Sequence, residues 1–592
     1  MKNLDWIISN KDMLLHNKQC KKRKFEEISL YHNSIKVHKF SKHEGWFFVD
    51  GYIIPRPNCF ESFKDVSQEQ LINRLYDKYG ESFIHYIKGV FSIVIFIDNR
   101  FSIFNDRHSL KKYFTYSYGD DFCISNSLQL LSNFDIDYEN AAIFSMLSHF
   151  IDGATLFKNV YSCKPGGLLK YDGTKLSTGS YWTPRDLLKS RKLNTYSIDF
   201  FAKNWKNIIN NYIEYLQPKG ISMTLTGGND SRMVLAALLS LKVDFHAFTF
   251  GDTKSYDCVI SKLLDDKIDS KHDIYFEENP TPKWFSYQAQ RIINYGNSLI
   301  NIHRAHRNDA IEKECIMYSS PEMIFTGLVG GEYIKEPNNN LVIPEIIAQI
   351  HVTKDKKVEI ALITNLLQSK GIDVNKVNLQ VIYDRLKKFV DSGNGLNDRE
   401  RKFIFAYLFY GCTHHSQDSN VFMNSIPYVV SPYMDIDFIE LISNYSKWYI
   451  NKKINFYDSM FHSLFHVKIT DKLAPSLSNI PYAKKGKYTA NDLLHNKLKY
   501  IFLRLRYYIS KDANKYPPNF PMGNWLYDFC KIEINKFNND IFVLFDKKKI
   551  LKALEENKDS IREQSWHMVT NPINLNMIYE FYEKAKISNT KK

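Results

Sequence analysis

Two hydrophobic patterns divide the chain. Up to about residue 190, apolar residues alternate with polar ones or run in short blocks: Trp46–Tyr52 (WFFVDGY), Val90–Asp98 (VFSIVIFID), Phe101–Phe104 and Phe122–Ser125. Turn residues bound each block, which is the pattern of short strands. Ser67–Tyr79 departs from it, with Leu71, Ile72, Leu75 and Tyr79 on one helical face. A loop at Lys164-Pro165-Gly166-Gly167 and a segment ending in Tyr181-Trp182-Thr183-Pro184 close this part. From about Ser197 helical and strand periods alternate. Helices are predicted over Ile198–Leu216, Ser231–Leu241 and Val259–Leu264, and strands over Ile221–Leu225, Phe245–Phe250, Asp273–Phe276 and Met323–Thr326. Such alternation predicts a parallel α/β sheet, whose ligands bind at the carboxyl ends of the strands. Beyond about Asn338 the pattern is largely helical and rich in aromatics, with no internal repeat.

One turn carries most of the chemistry. Ile221–Ser231 reads ISMTLTGGNDS and runs directly into RMVLAALLSL. Strand, glycine turn and helix start in succession make an anion site, because a helix N-terminus presents unpaired N–H groups. Gly227 and Gly228 let the backbone approach phosphate oxygens with no Cβ in the way. Asn229, Asp230 and Ser231 are good helix caps. Ser231 adds a hydroxyl donor, and Asp230 is suited to a Mg²⁺ that bridges phosphates. The stretch lacks the Lys-Ser/Thr ending of the Walker loop. A tight βα turn without a ligand is the competing reading.

Composition sets the class. The chain has 592 residues, 44% apolar and 15% aromatic, which fits a packed protein of two or three domains, roughly. The longest apolar run, near Val90–Ile97, is far too short to cross a bilayer, and the N-terminal segment shows no secretory h-region. Eight cysteines are scattered with no CxxC pair. Neither a zinc ribbon nor a disulfide framework is expected, and a reducing cytoplasmic setting is the simple reading. The net charge of +14 is mostly Lys spread along the chain. It predicts a solvated surface more than a nucleic-acid partner. The one tight cluster, Cys20-Lys21-Lys22-Arg23-Lys24, is expected in an exposed loop; contact with nucleic acid or a membrane is its alternative.

Other candidates carry less. His414 and His415 are adjacent, so on a helix they face apart and suit metal ligation poorly. His303 and His306 are three apart, with no third ligand evident, and are expected on a helix surface. Asp435 and Asp437, in YMDIDF, are a candidate carboxylate pair. Tyr256 and Asp257 either line a pocket or pack at a helix start.

In order and spacing, a set of short matches over residues 46 to 440 resembles the asparagine synthetase family. Leu225–Ser231 (LTGGNDS) is similar to its S-G-G-x-D-S pyrophosphate loop, with Thr226 in the first Ser position. Tyr79-Gly80-Glu81 with Gly89-Val90-Phe91-Ser92 resembles its Y-G-E…G-x-F-A stretch, and Asn105-Asp106-Arg107 its R-D-R. Ile124-Ser125-Asn126 resembles its F-A-S-E strand, Lys164-Pro165-Gly166 its V-P-P-G turn, and Ser431–Asp435 (SPYMD) its R-x-P-F-L-D, a match that implies a structural or pocket-lining role for Asp435 and Asp437 as the favoured reading. The chain departs from the family at three places. Lys2 stands where the glutaminase cysteine belongs, and Asp50-Gly51-Tyr52 replaces the N-G-E glutamine-binding segment. In Phe325–Tyr333 (FTGLVGGEY), set against L-S-G-E-G-A-D-E, Gly327 and Glu332 are kept. Leu328 takes the place of a base there, and Gly331 that of a metal-binding Asp. The pyrophosphate-stabilising lysine has Lys485, in Ile480–Lys487, as its favoured candidate, with a plain surface lysine as the alternative.

The resemblance implies a fold and a function. The expected fold is an Ntn-hydrolase-like β-rich sandwich over residues 1–190, inactive as a glutaminase. An adenine-nucleotide α-hydrolase-like parallel α/β domain with a helical C-terminal part follows over 191–592. The implied reaction is ATP-dependent and AMP-forming: adenylation of a small-molecule or peptide carboxylate, then transfer to an amine, as in β-lactam synthetases and lasso-peptide cyclases. ATP and Mg²⁺ are the implied cofactors. Thr226, Gly227, Gly228, Asn229, Asp230, Ser231, Phe250, Gly251 and Gly327 would hold the nucleotide. Asp230 and Glu332 would hold the metal, and Lys485 and Glu332 would act in catalysis. A catalytically eroded binding protein and a glutamine-dependent asparagine synthetase are the alternatives; a tRNA-modifying relative would need Cys pairs the chain lacks. A homodimer is left open.

Overall fold

The alternating blocks of the N-terminal part form two six-stranded antiparallel sheets in the computed structural model of the chain. The structure describes residues 6–10, 21–25, 28–33, 35–131, 135–189, 196–268, 271–277, 280–334, 345–353, 355–444, 464–483, 488–510, 522–537, 540–560 and 563–590. The strands are β1 (Trp6–Ser9), β2 (Lys21–Phe25), β3 (Ile28–His32), β4 (His38–Lys39), β5 (Gly45–Pro55), β6 (Ile87–Ile97), β7 (Arg100–Asn105), β8 (Phe114–Tyr118), β9 (Asp121–Ser125), β10 (Val160–Ser162), β11 (Gly167–Tyr171) and β12 (Leu176–Ser180). Their orders are β10-β8-β9-β1-β3-β2 and β12-β11-β7-β6-β5-β4.

The period of two decides the layers. Trp6 and Ile8 join Val94, Phe96 and Ile103 in the core shared by the two sheets. On the opposite face of β6, Phe91, Ile93 and Ile95 meet Leu71, Ile72 and Leu75 of the helix Gln68–Tyr79. Ser67 caps that helix in a capping box with Gln70, which explains its sharp start. On the outer face of the other sheet, Ile7 and Phe114 share a core with the helix Tyr138–Leu147. The expected strands at 46–52, 90–98, 101–104 and 122–125 are present with slightly different ends. The basic cluster is a correction. Lys21–Lys24 lies in the edge strand β2, paired with β3, and not in a loop. Arg23 there lies 4.6 Å above the Trp46 ring. Lysines along an edge strand oppose pairing with another chain.

The second part contains a five-stranded parallel sheet built from β13 (Ile221–Thr224), β14 (His246–Phe250), β15 (His272–Tyr275), β16 (Met323–Phe325) and β17 (Tyr428–Val430). Its order is β15-β14-β13-β16-β17, and every adjacent pair is parallel. The helix Ile198–Leu216 has the expected limits. The helix after β13 begins two residues early, at Asn229. The chain is thus mixed α/β: two antiparallel sheets, one parallel sheet and many helices. The boundary expected at residue 190 falls on 190–195, outside the described residues.

Buried polar groups tie the two parts together. Lys88 of β6, 2% exposed, lies 2.7 Å from both Asp435 and Asp437. Tyr212 also donates to Asp435, at 2.8 Å, and Arg56 reaches Asp437 and Glu440. Burial disfavours the charge on Lys88, but the two carboxylates outweigh it and raise its pKa. Both carboxylates are thus taken up by contacts between the two parts. His108 sits within 3.2 Å of the hydroxyls of Tyr333 and Tyr407, and burial, helped by Arg107, pushes its pKa down to about 3. None of the described cysteines forms a disulfide. Among the described residues no helix is long and apolar enough to cross a membrane.

Candidate functional site

From β13 the chain passes to β14 and β15 on one side, then returns to β16 on the other. The order reverses between β13 and β16, and a parallel sheet opens a crevice at the carboxyl ends of such a pair. Two glycine-containing loops meet there, Leu225–Gly228 after β13 and Thr326–Gly330 after β16.

The first loop is held by its own hydroxyls. Thr226 N–H donates to Ser231 Oγ at 3.1 Å, and the two side-chain oxygens are 2.9 Å apart. Gly228 N–H donates to Thr226 Oγ1 at 3.2 Å. Gly228 is the N-cap, extended at φ −77° and ψ 173°, with no side-chain cap. Asn229, Asp230 and Ser231 were expected as caps and lie inside the first turn instead. Two successive glycines allow the tight approach that starts the helix early. The Asn229 amide is buried, and neither of its polar atoms has a hydrogen-bond partner among the described residues.

Gly227 is needed for contact. A Cβ there would lie 2.4 Å from Ala483 Cβ and 2.8 Å from Ile260 Cβ. Its carbonyl accepts from Ala483 N–H at 2.7 Å. The buried Arg232 donates to the carbonyls of Ile480 and Pro481, both at 2.8 Å, and lies 4.0 Å above the Tyr482 ring. The segment that precedes the candidate lysine is thus fastened to the loop. Lys485 itself falls on 484–487, outside the described residues.

The second loop packs against the first. A Cβ on Gly327 would meet Ser231 N at 2.8 Å, and one on Gly330 would meet Asp230 Cβ at 2.9 Å. Between them Val329 is buried at φ +66°, an outlying conformation for a β-branched residue. Such strain persists only where the surroundings impose it and clusters at functional sites. The Leu328 carbonyl accepts from Ser431 Oγ at 3.0 Å, and Tyr433 donates to the Asp230 carbonyl at 2.9 Å.

Two carboxylates face this crevice, each with a histidine. Asp230 Oδ1 lies 3.1 Å from Nε2 of the fully buried His466. Glu332 Oε1 lies 3.5 Å from Nε2 of His415, whose Nδ1 lies 3.6 Å from Asp418. Burial opposes a charge on His415, but Glu332 and Asp418 outweigh it and raise its pKa to about 9. Burial likewise opposes the Glu332 carboxylate, and His415 outweighs it, so the acid is held below its usual range while Asp230 pushes the other way. Arg304 and Arg307 both bind Asp418 and, against burial, keep it well below the carboxylate range. Among the described residues no group of three or more His, Cys, Asp or Glu is placed to hold a metal. The donor set fits Mg²⁺ nonetheless, because that ion takes one or two carboxylates and completes its shell with phosphates and water.

The remaining candidates scatter. Gly251 N–H is spent on the Tyr275 carbonyl at 3.0 Å, and its carbonyl accepts from Cys258 Sγ at 3.5 Å. Phe250 is half-buried, its ring 6.4 Å from His306. Tyr256 reaches the Tyr482 carbonyl at 3.5 Å, on the same segment that covers Gly227. His303 and His306 are buried, contrary to expectation, because the helical turn that carries them packs inside the molecule. His414 and His415 do not face fully apart, since their rings meet edge to face with centroids 4.9 Å apart, but they take different partners. His414 bridges His149 and Arg304, both at 2.9 Å, while His415 turns to Glu332.

Sequence reading missed His466, the Arg304–Asp418–His415 network, and the π-helix Ala406–His414 that carries part of it. It also missed Trp6, which donates its indole N–H to Asp50 at 2.9 Å. Asn126 donates to the same oxygen at 2.8 Å, and Lys111 lies 2.9 Å from the other. Asp50 is fully buried.

No family model matches the chain, and no curated protein matches it. Among solved structures it is similar to a glutamine phosphoribosylpyrophosphate amidotransferase from B. subtilis complexed with ADP and GMP. The identity is 8% and the TM-score 0.21, over 47% of this chain and 76% of that one. It is also similar to an allosteric regulatory enzyme of purine biosynthesis, at 8% identity and TM-score 0.20, over 47% of this chain and 75% of that one. Likeness at this level carries no argument about architecture or activity.

Proposed function

We propose that the chain is an ATP-dependent, AMP-forming amide synthetase that adenylates a small-molecule or peptide carboxylate and passes the acyl group to an amine without hydrolysing glutamine. The observation that carries this reading is the meeting of two loops at the switch point, where Gly327 and Gly330 leave no room for a Cβ against Ser231 and Asp230. First-turn N–H groups at Asn229–Ser231 suit phosphate oxygens. Asp230 and Glu332 suit Mg²⁺, which when bound would neutralise phosphate charge. In this reading a carboxylate oxygen attacks the α-phosphorus and pyrophosphate leaves, with Lys485 as the cation that meets it. The amine then attacks the acyl carbon and AMP leaves. Holding both reactants together supplies much of the rate. Asp50, which stands in place of the glutamine-binding Asn and is fully buried beneath Trp6 and Asn126, supports the absence of glutamine hydrolysis.

Pyrophosphate release from Mg-ATP, measured across a panel of carboxylates with and without amines, tests the reading. Release that depends on the carboxylate and is lost in Asp230→Ala is the expected result. No thermal stabilisation by Mg-ATP, and no release with any carboxylate, would overturn it.

Glu332 held by His415, together with Leu328 and Gly331 in place of polar residues, favours a second reading, an eroded synthetase that binds nucleotide without turnover. Stabilisation by Mg-ATP or AMP with no pyrophosphate would select it.

A further inference from the structure

The helix Lys497–Ser510 (KLKYIFLRLRYYIS) has two apolar sides, of which only one packs against other described residues. Tyr500, 1% exposed, is buried with Val467, Tyr488 and Leu493, and Ile501 and Leu503 pack against that cluster. Leu498, Phe502, Leu505 and Ile509 are 82%, 61%, 49% and 82% exposed. At about 100° per residue these four fall within an arc of about 60°. Lys497 and Arg504 lie on one side of that arc, about 110–130° from its centre, and Lys499 and Arg506 on the other, about 70–90° from it. No acidic residue occurs in the helix. Across from it, Asp492 pairs with Lys499 at 2.7 Å.

We propose that this helix is a membrane-surface element, and that the Leu498–Phe502–Leu505–Ile509 stripe with its two basic borders docks on an anionic lipid bilayer. Charge decides the occupant. An apolar stripe alone would serve a second copy of the chain equally well. Rows of Lys and Arg on both flanks would face each other across such a dimer and repel. Against anionic headgroups they are attracted, while Leu and Phe enter the acyl boundary. The helix is far from long enough, and too charged, to span. It lies in the plane of the surface, anchored to the protein through Tyr500. This inference is independent of the nucleotide reading.

Co-sedimentation of the full chain with vesicles tests it. Vesicles of phosphatidylcholine with about one-third phosphatidylserine are expected to bind at least tenfold more protein than pure phosphatidylcholine, with binding weakened by added salt. The double variant Leu498→Glu, Ile509→Glu is expected to lose that binding at least tenfold and keep the wild-type melting temperature and circular dichroism, because both side chains are exposed. Lys497→Glu with Arg506→Glu, which keeps the apolar stripe, is expected to lose the preference for phosphatidylserine. Equal retention on both vesicle types overturns the proposal, as does undiminished binding by the folded double variant. It is also overturned by a wild-type dimer in sedimentation equilibrium that the double variant dissociates, with no vesicle binding, since a second copy then covers the stripe.

Discussion

Oδ1 of Asp230 lies 3.1 Å from Nε2 of His466, and the imidazole is fully buried while the carboxylate is partly open to the crevice. Any cation that Asp230 takes must share or displace that contact. His466→Gln is therefore expected to lower the Mg²⁺ concentration needed for ATP-dependent stabilisation, by about tenfold if a single charge-assisted contact is released. A Mg²⁺ titration of the melting temperature at fixed ATP measures it. An unchanged midpoint would show that Asp230 does not meet the metal.

Gly227 has no space for a methyl group. Gly227→Ala would drive Cβ into Ala483 and Ile260 and push the loop away from the 480–483 segment. The expected cost is about 1–3 kcal/mol of stability, read by urea denaturation, with loss of the response to Mg-ATP.

Lys88 is a buried charge at the contact between the two parts. Lys88→Met leaves Asp435 and Asp437 without that partner inside the protein. Breaking a buried pair in this way costs about 3–5 kcal/mol. The urea midpoint of the full chain is expected to fall accordingly. A shift no larger than that of a surface Lys→Met control would contradict the account.

His415 makes stability depend on pH with a definite sign. Its folded pKa of about 9 lies above the ordinary histidine value of 6.5. Its contribution is therefore fully present below pH 6.5 and declines as pH rises through about 9. The shift corresponds to at most about 3 kcal/mol. His415→Gln is expected to lower the melting temperature most near pH 6 and least near pH 9.5. A difference that does not narrow over this range would rule out the charged pair with Glu332 and Asp418.

Glutamine is expected to yield no glutamate above the blank with this chain, because Trp6, Asn126 and Lys111 already occupy Asp50. A coupled glutamate assay checks it.

Local features were legible in the sequence where local physics sets them. The spacing of Leu71, Ile72, Leu75 and Tyr79 announces a helix, and Gly227-Gly228 announces a tight turn between strand and helix. The parallel sheet followed from the alternation of periods. The strand Tyr428–Val430 was not legible, because three residues carry too little pattern and their pairing with β16 joins positions about a hundred residues apart. The same holds for His466 with Asp230 and for Trp6 with Asp50. Each is a long-range contact whose partners look unremarkable within their own neighbourhoods. Lys485, central to the proposed chemistry, was inferred from sequence and lies outside the described residues.

The π-helix Ala406–His414 has a consequence for engineering. A π-helix carries more residues per turn than an α-helix and arises where the helix has taken in extra chain. This one acts as a phase shifter between the residues before and after it. Removing one residue from it would rotate everything downstream by about 100° relative to the upstream face. Gln417 and Asp418 would swing away from His149 and Arg304, and His415 away from Glu332, all together. A one-residue deletion there should therefore do more damage than substituting any single member of that network.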